Sequence, residues 1–90
     1  MKVLRKPLYL ESQQAIEDYI ARDNPQAAID MWFTIDDQVG KLADPNFPRR
    51  MGRVQGTLEL VAHPSYVVIL EQSLDTVTAI EVLHTSRQYP

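Results

Sequence analysis

Two stretches in the first half of the chain repeat apolar residues at the spacing of an α-helix. In the clearer stretch, six residues at steps of three and four make one apolar stripe: Ala28, Met31, Trp32, Ile35, Val39 and Leu42. Between residues 8 and 21 the same spacing is followed by Ile16, Tyr19 and Ile20, and more loosely by Leu10. Asn24 and Pro25 between the stretches suit a helix cap and a first helical position. The pattern predicts an antiparallel helical hairpin that ends at the two prolines of residues 44–48.

The second half of the chain changes to strand-like segments that are rich in β-branched residues. Candidate strands are residues 57–62, 66–72 and 76–84, and residues 1–5 form a further short strand. Three strands joined by short turns predict an antiparallel meander, and the helical hairpin must cover one of its faces. The predicted fold class is α+β: an N-terminal strand, an antiparallel helical hairpin and a three-stranded antiparallel meander, in one domain spanning residues 1–90.

The last two predicted strands are apolar on both faces. Val67 and Ile69 alternate with apolar residues of the opposite phase, and Leu83 lies next to Val82 in the same way. An antiparallel sheet with one face in water would alternate more cleanly between apolar and polar residues. The pattern leaves two alternatives: the chain itself partly covers the second face, or a partner protein covers it.

Composition and charge narrow the possible functions. The chain has no cysteine, which excludes disulfides and thiolate metal sites, and no apolar run of the about 20 residues that a membrane span needs. Nine Lys and Arg face twelve Asp and Glu, for a net charge of −3. The basic residues form two main clusters, Lys2/Arg5/Lys6 and Arg49/Arg50/Arg53, and none lies between Arg53 and Arg87. We expect a cytoplasmic protein without a metal ion or cofactor, and if it has a basic patch, these clusters form it, with Arg87 as an addition.

Five strings along the chain resemble, in order and spacing, the RelE/ParE superfamily, the toxins of bacterial type II toxin–antitoxin modules. The strings are "KPLYL" (6–10), "AIEDYIARDNPQAA" (15–28), "LADPNFPRRMGRVQGTLELV" (42–61), "YVVILEQ" (66–72) and "AIEVLHTSRQYP" (79–90). Each string is weak alone, but together they cover nearly the whole chain. The resemblance implies the fold predicted above and a small antitoxin that wraps the toxin, with any DNA contact made through that antitoxin.

The resemblance leaves the cellular target open, because RelE-like members cleave mRNA on the ribosome whereas ParE-like members poison DNA gyrase. Ribonuclease chemistry needs a base, an acid and cations around the phosphate. The candidates for it are His63, His84, Arg87, Tyr89 and the loop arginines. Leu58 and Glu71 stand where the family often carries basic residues, so the predicted sheet lacks the cations that would hold a message. His84 is in phase with Ile80 and Val82, which favours a structural role for it.

We therefore expect a ParE-like toxin that inhibits DNA gyrase without enzymatic chemistry. The expected target-binding residues are Arg49, Arg50, Arg53, Arg87, Gln88 and Tyr89. One alternative is a ribosome-dependent mRNA endoribonuclease that uses His84, Arg87 and Tyr89, and another is a degenerate toxin that serves only as the antitoxin's partner in a repressor complex. The loop arginines are also compatible with a solvated turn. Asp36 and Asp37 diverge by about 100° on the predicted helix, so they are expected to face solvent rather than bind a metal ion.

Overall fold

The structure of the chain is a computed structural model that describes residues 1–86, in which two helices cover one face of a five-stranded sheet. In chain order the elements are β1 (Lys2–Arg5), α1 (Pro7–Ala21), α2 (Pro25–Gly40), a 3-10 turn (Lys41–Ala43), β2 (Arg50–Met51), β3 (Leu58–His63), β4 (Tyr66–Gln72) and β5 (Thr76–His84). The strand order is β1-β5-β4-β3-β2. β1 runs parallel to β5, and the remaining pairs are antiparallel. The predicted α+β fold is confirmed.

The predicted start of the second helix agrees with the structure. The Asn24 side chain accepts a hydrogen bond from the Ala27 N–H at 3.1 Å, and Pro25 occupies the first helical position of α2. Gln13 of α1 donates through Nε2 to the Trp32 carbonyl of α2 at 3.1 Å. The Asn24 cap, Pro25 and the hydrogen bond between the two helices together fix the helical hairpin that lies over the sheet.

The main core lies between this hairpin and the sheet. On the side of the helices and the 3-10 turn, its fully buried residues are Tyr9, Ile35, Val39 and Leu42, and on the sheet side they include Val68, Leu70 and Val77. Ala28 is also buried, whereas Met31 and Trp32 are half-buried. The predicted stripe is thus the surface that α2 and the following turn bury.

The second face of the sheet carries a smaller apolar cluster. Val67, Ile69 and Leu83 form it, and Ile80 packs against them. Val67 is only 2% exposed, so the chain itself buries this cluster, and the first of the two alternatives describes it. Five large apolar side chains on the helices are exposed instead: Leu8, Leu10, Tyr19, Ile29 and Phe33. The apolar surface left for a partner therefore lies more on the helices than on this sheet cluster.

Strand β2 was not predicted, and with β1 it brings basic residues into the sheet. β2 contributes Arg50, and β1 contributes Lys2 and Arg5. The expectation of a sheet without cations is therefore wrong for its two edge strands. It holds for β3, β4 and β5, which contain neither Lys nor Arg.

Asp36 does not face solvent as expected, and that prediction is wrong. Its Oδ1 accepts hydrogen bonds from Arg5 Nε at 2.9 Å and from the Tyr9 hydroxyl at 3.1 Å. Both side chains of the Arg5–Asp36 ion pair are largely covered, and Tyr9 is fully buried. Asp37 does face solvent, where it forms an exposed salt bridge to Lys41. The Asp36 carboxylate thus links β1 and α1 to α2.

This link makes the stability of the fold depend on pH in the alkaline range. Burial, and then the nearby Asp36 carboxylate, raise the pKa of Tyr9 above its ordinary value of 10.0. A raised pKa means that the folded chain favours the neutral phenol, so this stability is present below pH 10.0 and is lost as the pH rises above it. We expect Tyr9→Phe to lose about 0.5–1.5 kcal/mol of unfolding free energy at neutral pH. Above pH 10.0, the unfolding free energy of this variant should also fall less steeply with pH than that of the wild type.

Urea unfolding at several pH values on both sides of that range measures both effects. Tyr19→Phe is the matched control, because Tyr19 lies on the same helix and its side chain is mostly exposed. The control should leave the alkaline slope unchanged. Identical slopes for the wild type and Tyr9→Phe would contradict the assignment of this pH dependence to Tyr9.

Candidate functional site

Residues 50–59 fold back on themselves at the edge of the sheet, and we call this segment the arginine hairpin. Arg50 pairs with Glu59 across the two strands, and Met51 pairs with Leu58. The Gly52 N–H donates to the Thr57 carbonyl at 2.9 Å. A Cβ atom on Gly52 would lie 2.9 Å from that carbonyl oxygen, so the close approach requires glycine.

The turn of the arginine hairpin projects polar and apolar groups into solvent. Gly56 adopts a positive φ of 86°, and the Thr57 N–H and hydroxyl both donate to the Val54 carbonyl. Met51 is 80% exposed, and Arg53 is also exposed. The hairpin therefore offers an exposed thioether and cationic side chains on a folded backbone, which suits contact with an acidic protein surface.

A buried carboxylate lies beneath these groups. The Glu59 side chain is 1% exposed, and its Oε1 accepts from Arg50 Nε at 3.1 Å and from Arg50 Nη2 at 3.0 Å. Its Oε2 accepts from the Arg53 N–H at 3.1 Å. Sequence reasoning missed this role of Glu59, because its partner strand β2 was not predicted and the pairing could not be foreseen.

Arg49, one residue before the hairpin, has a different role from its neighbour Arg50. Its guanidinium donates to the carbonyl of Asp44 at 2.6 Å and to Gln72 Oε1 at 3.0 Å, and its Nε donates to the carbonyl of Phe47 at 3.0 Å. A longer contact of 3.4 Å reaches the Leu42 carbonyl. Arg49 therefore fastens the loop after α2 to the end of β4.

The predicted target-binding residues thus divide into three groups. Arg50 and Arg53 lie together on the arginine hairpin, and Glu59 contacts both of them. Arg49 is bonded to the body of the fold. Arg87, Gln88 and Tyr89 lie outside the described residues 1–86.

His84 lies at the far end of the meander in a row of three rings. Register places His63, Tyr66 and His84 side by side on β3, β4 and β5. The Tyr66 and His84 rings meet edge to face with centroids 5.4 Å apart, and the His63 centroid is 6.0 Å from that of Tyr66. Burial raises the pKa of Tyr66 above its ordinary value.

Both histidines of this row already make local hydrogen bonds. His84 Nδ1 accepts from the Ser86 N–H at 3.1 Å and lies 2.7 Å from the Ser86 hydroxyl. His63 Nδ1 accepts from the Ser65 N–H at 3.0 Å. The His84 side chain is exposed, and its bonds are to the turn that follows β5. With one ring nitrogen engaged, each histidine has only Nε2 left for proton transfer.

A groove of about 500 Å³ runs between α1 and the outer edge of β5, close to this row. Its walls include Ser12, Ala15, Ile16, Tyr19, Val82 and His84. β1 pairs only with Thr76–Ala79, and further along β5 the Ser12 hydroxyl accepts the Val82 N–H at 3.0 Å. The helix therefore caps the strand edge there, and the mostly apolar groove suits side chains of another chain rather than an added strand. No motif in the sequence signals this use of Ser12.

The part of the chain that the structure describes holds neither a metal-binding cluster nor a membrane-spanning helix. Within residues 1–86, no three His, Cys, Asp or Glu side chains come together as a metal ion would require. In the same range, neither helix is long and apolar enough to cross a membrane.

Comparison with known proteins gives the family of the chain. No curated protein sequence matches it. Among solved structures, a chain of a chromosomal ParDE toxin–antitoxin system from P. aeruginosa superposes with a TM-score of 0.80 at 18% sequence identity, covering 93% of this chain and 95% of that one. The family model for the ParE toxin of the type II toxin–antitoxin system parDE matches residues 3–89. The chain therefore belongs to the ParE toxin family of type II toxin–antitoxin systems.

Proposed function

We propose that this toxin arrests growth by binding DNA gyrase in the cytoplasm and stalling its DNA cleavage complex, until its cognate antitoxin binds the toxin. The arginine hairpin makes the main contact, and the C-terminal residues Arg87, Gln88 and Tyr89 add to it. The toxin's action is binding rather than catalysis. This choice between the two targets of the superfamily follows the ParE family match and the missing cations on β3, β4 and β5.

The observation that carries the proposal is the exposed tip of the arginine hairpin. Met51 is 80% exposed beside the cationic Arg50 and Arg53, although the chain as a whole has a net charge of −3. Arginine and methionine are enriched in protein–protein interfaces. An acidic protein chain would be attracted to the positive charge at this tip.

The ribonuclease alternative finds less support at the His84 end. The Tyr66 ring contacts the His84 ring there, and His84 Nδ1 is bonded to Ser86 rather than held by a carboxylate that would orient a catalytic base. Among residues 1–86, no Lys or Arg that would stabilise a phosphorane lines the groove beside His84.

Charge reversal at the hairpin tip tests the proposal. We expect Arg53→Glu to raise the toxin concentration for half-maximal gyrase inhibition by roughly tenfold or more, the size of effect typical of an interface arginine. The assay measures supercoiling and the linear DNA released from gyrase by detergent and protease. Arg22→Glu is the matched control, because Arg22 is also exposed but lies in the turn between the helices.

Expression without the antitoxin separates the alternatives in cells. We expect growth arrest with gyrase-linked DNA breaks, and His84→Ala should leave both unchanged. Cleaved mRNA in ribosome profiles without DNA breaks would replace gyrase by the ribosome as the target. Absence of any growth arrest would instead favour the degenerate toxin that acts only with its antitoxin.

A further inference from the structure

We propose that Glu59 is a positioning residue of the toxin, because its carboxylate holds the arginine hairpin in the conformation that presents Arg50 and Arg53. The inference rests on the proposed function in one respect only: it takes the hairpin as the surface that causes toxicity. Glu59 itself does not touch the target, because its side chain is 1% exposed.

The bonds of the Glu59 carboxylate connect two points of the hairpin. Oε1 accepts from the Arg50 guanidinium through Nε and Nη2, at 3.1 and 3.0 Å. Oε2 accepts from the Arg53 main-chain N–H at 3.1 Å. A carboxylate is almost never this deeply buried unless it is paired. One oxygen therefore sets the direction of the Arg50 side chain, and the other sets the path of the backbone at Arg53.

Besides Glu59, the arginine hairpin is held by the two-residue pairing of β2 with β3 and, one residue before it, by the bonds of Arg49. β2 contains only Arg50 and Met51, both exposed, and it lies at the edge of the sheet. A two-residue edge strand buries too little apolar surface to be stable by pairing alone. The turn bonds between Gly52 and Thr57 close the loop but do not fasten it to β4, the strand on the other side of β3. Glu59 is anchored in β3, which pairs with β4 along most of its length, so its carboxylate ties the tip to the rigid part of the fold.

A role limited to overall stability would have different consequences. The main core lies on the helix-covered face of the sheet, and its residues do not include Arg50 or Arg53. Releasing the tip should therefore leave most of the fold intact. Amide exchange at Arg53 reports on the tip, whereas exchange at Val68 reports on the centre of the sheet. If Glu59 has a positioning role, its loss accelerates exchange at Arg53 and leaves exchange at Val68 unchanged. A general loss of stability accelerates exchange at both amides.

The test uses Glu59→Gln, which keeps the size of the side chain and removes its charge. We expect the Arg53 amide to exchange roughly tenfold faster or more, as loss of a charge-assisted hydrogen bond implies. Growth arrest should then require roughly tenfold more toxin, with unchanged exchange at Val68 and unchanged antitoxin affinity. Glu71→Gln is the matched control, because Glu71 lies on β4 with an exposed side chain, and it should change none of these quantities.

Gly52→Ala provides a second variant if Glu59→Gln does not fold. The added Cβ opens the hairpin without altering a charge, and the same change in Arg53 exchange and potency is expected. Faster Arg53 exchange with full potency would overturn the positioning role, and so would unchanged Arg53 exchange in Glu59→Gln. If growth arrest depends on Glu59 but the toxin leaves gyrase unaffected, the positioning role stands and the proposed target is wrong.

Discussion

Replacing Arg49 with alanine is expected to lower the free energy of unfolding by about 2–4 kcal/mol, the range for loss of several charge-assisted hydrogen bonds that are partly shielded from water. The variant leaves the carbonyls of Asp44 and Phe47 and the Gln72 side chain without this donor. The loop after α2 then loses its attachment to the end of β4. Urea denaturation of the purified toxin measures the loss, and growth arrest and antitoxin affinity should decline together because both need the folded chain.

The variant Arg49→Lys tests whether stability depends on the several hydrogen bonds of Arg49 or only on its positive charge. Lysine keeps the positive charge but has no planar group that donates in several directions at once, so it should restore only part of the lost stability. Arg50→Ala is the comparison variant that should leave the loop after α2 attached, because Arg50 contacts Glu59 rather than that loop. A variant Arg49→Ala that keeps full stability and loses only gyrase inhibition would support the prediction that Arg49 contacts the target and would contradict its structural role.

The elements of the fold followed closely from the sequence because their signals are local: an apolar stripe at helical spacing marks α2, and runs of β-branched residues mark the strands. The predicted strands 66–72 and 76–84 coincide with β4 and β5, and β3 begins one residue later than predicted. The stripe that includes Ile35 and Val39 identified the buried side of α2. These patterns are local, so neighbouring residues in the chain are sufficient to reveal them.

The roles of adjacent like residues did not follow from the sequence, because partners far along the chain decide them. Asp36 is bonded to Arg5, 31 positions away, whereas Asp37 is bonded to Lys41 within its own turn. Likewise Arg49 reaches Gln72, 23 positions away, while Arg50 pairs with Glu59. Their charges alone predict one role for both aspartates and one role for both arginines. Only the tertiary contacts distinguish the roles of the two neighbours.

Strand β2 was missed for a related reason. It has two residues and lies between the prolines of the preceding loop and Gly52, so it presents no period that a pattern can detect. The candidate site depends on it, because β2 brings Arg50 next to Glu59. Half of the predicted target-binding set, Arg87, Gln88 and Tyr89, lies outside residues 1–86 and stays a prediction.

Ile35→Ala should have the largest effect on stability among the variants considered. Ile35 is fully buried in the cluster between α2 and the sheet, and its truncation removes apolar contacts and leaves a cavity. Such substitutions cost about 2–5 kcal/mol. This is a large fraction of the roughly 5–15 kcal/mol that stabilises a typical domain. Urea denaturation should show a lower midpoint with an unchanged slope, since the surface exposed on unfolding stays nearly the same.

Ile29→Ala is the matched control, because Ile29 is the same residue type on the same helix and is 45% exposed. Its truncation creates no enclosed cavity, so its cost should remain within roughly 1 kcal/mol. Antitoxin at about 100 times its Kd would add about 2.7 kcal/mol to the folded state of Ile35→Ala, because Ile35 is buried away from the binding surface. Ile35→Ala should therefore regain much of its stability in the complex. Equal losses for the two isoleucines would contradict the packing of α2 by its buried stripe.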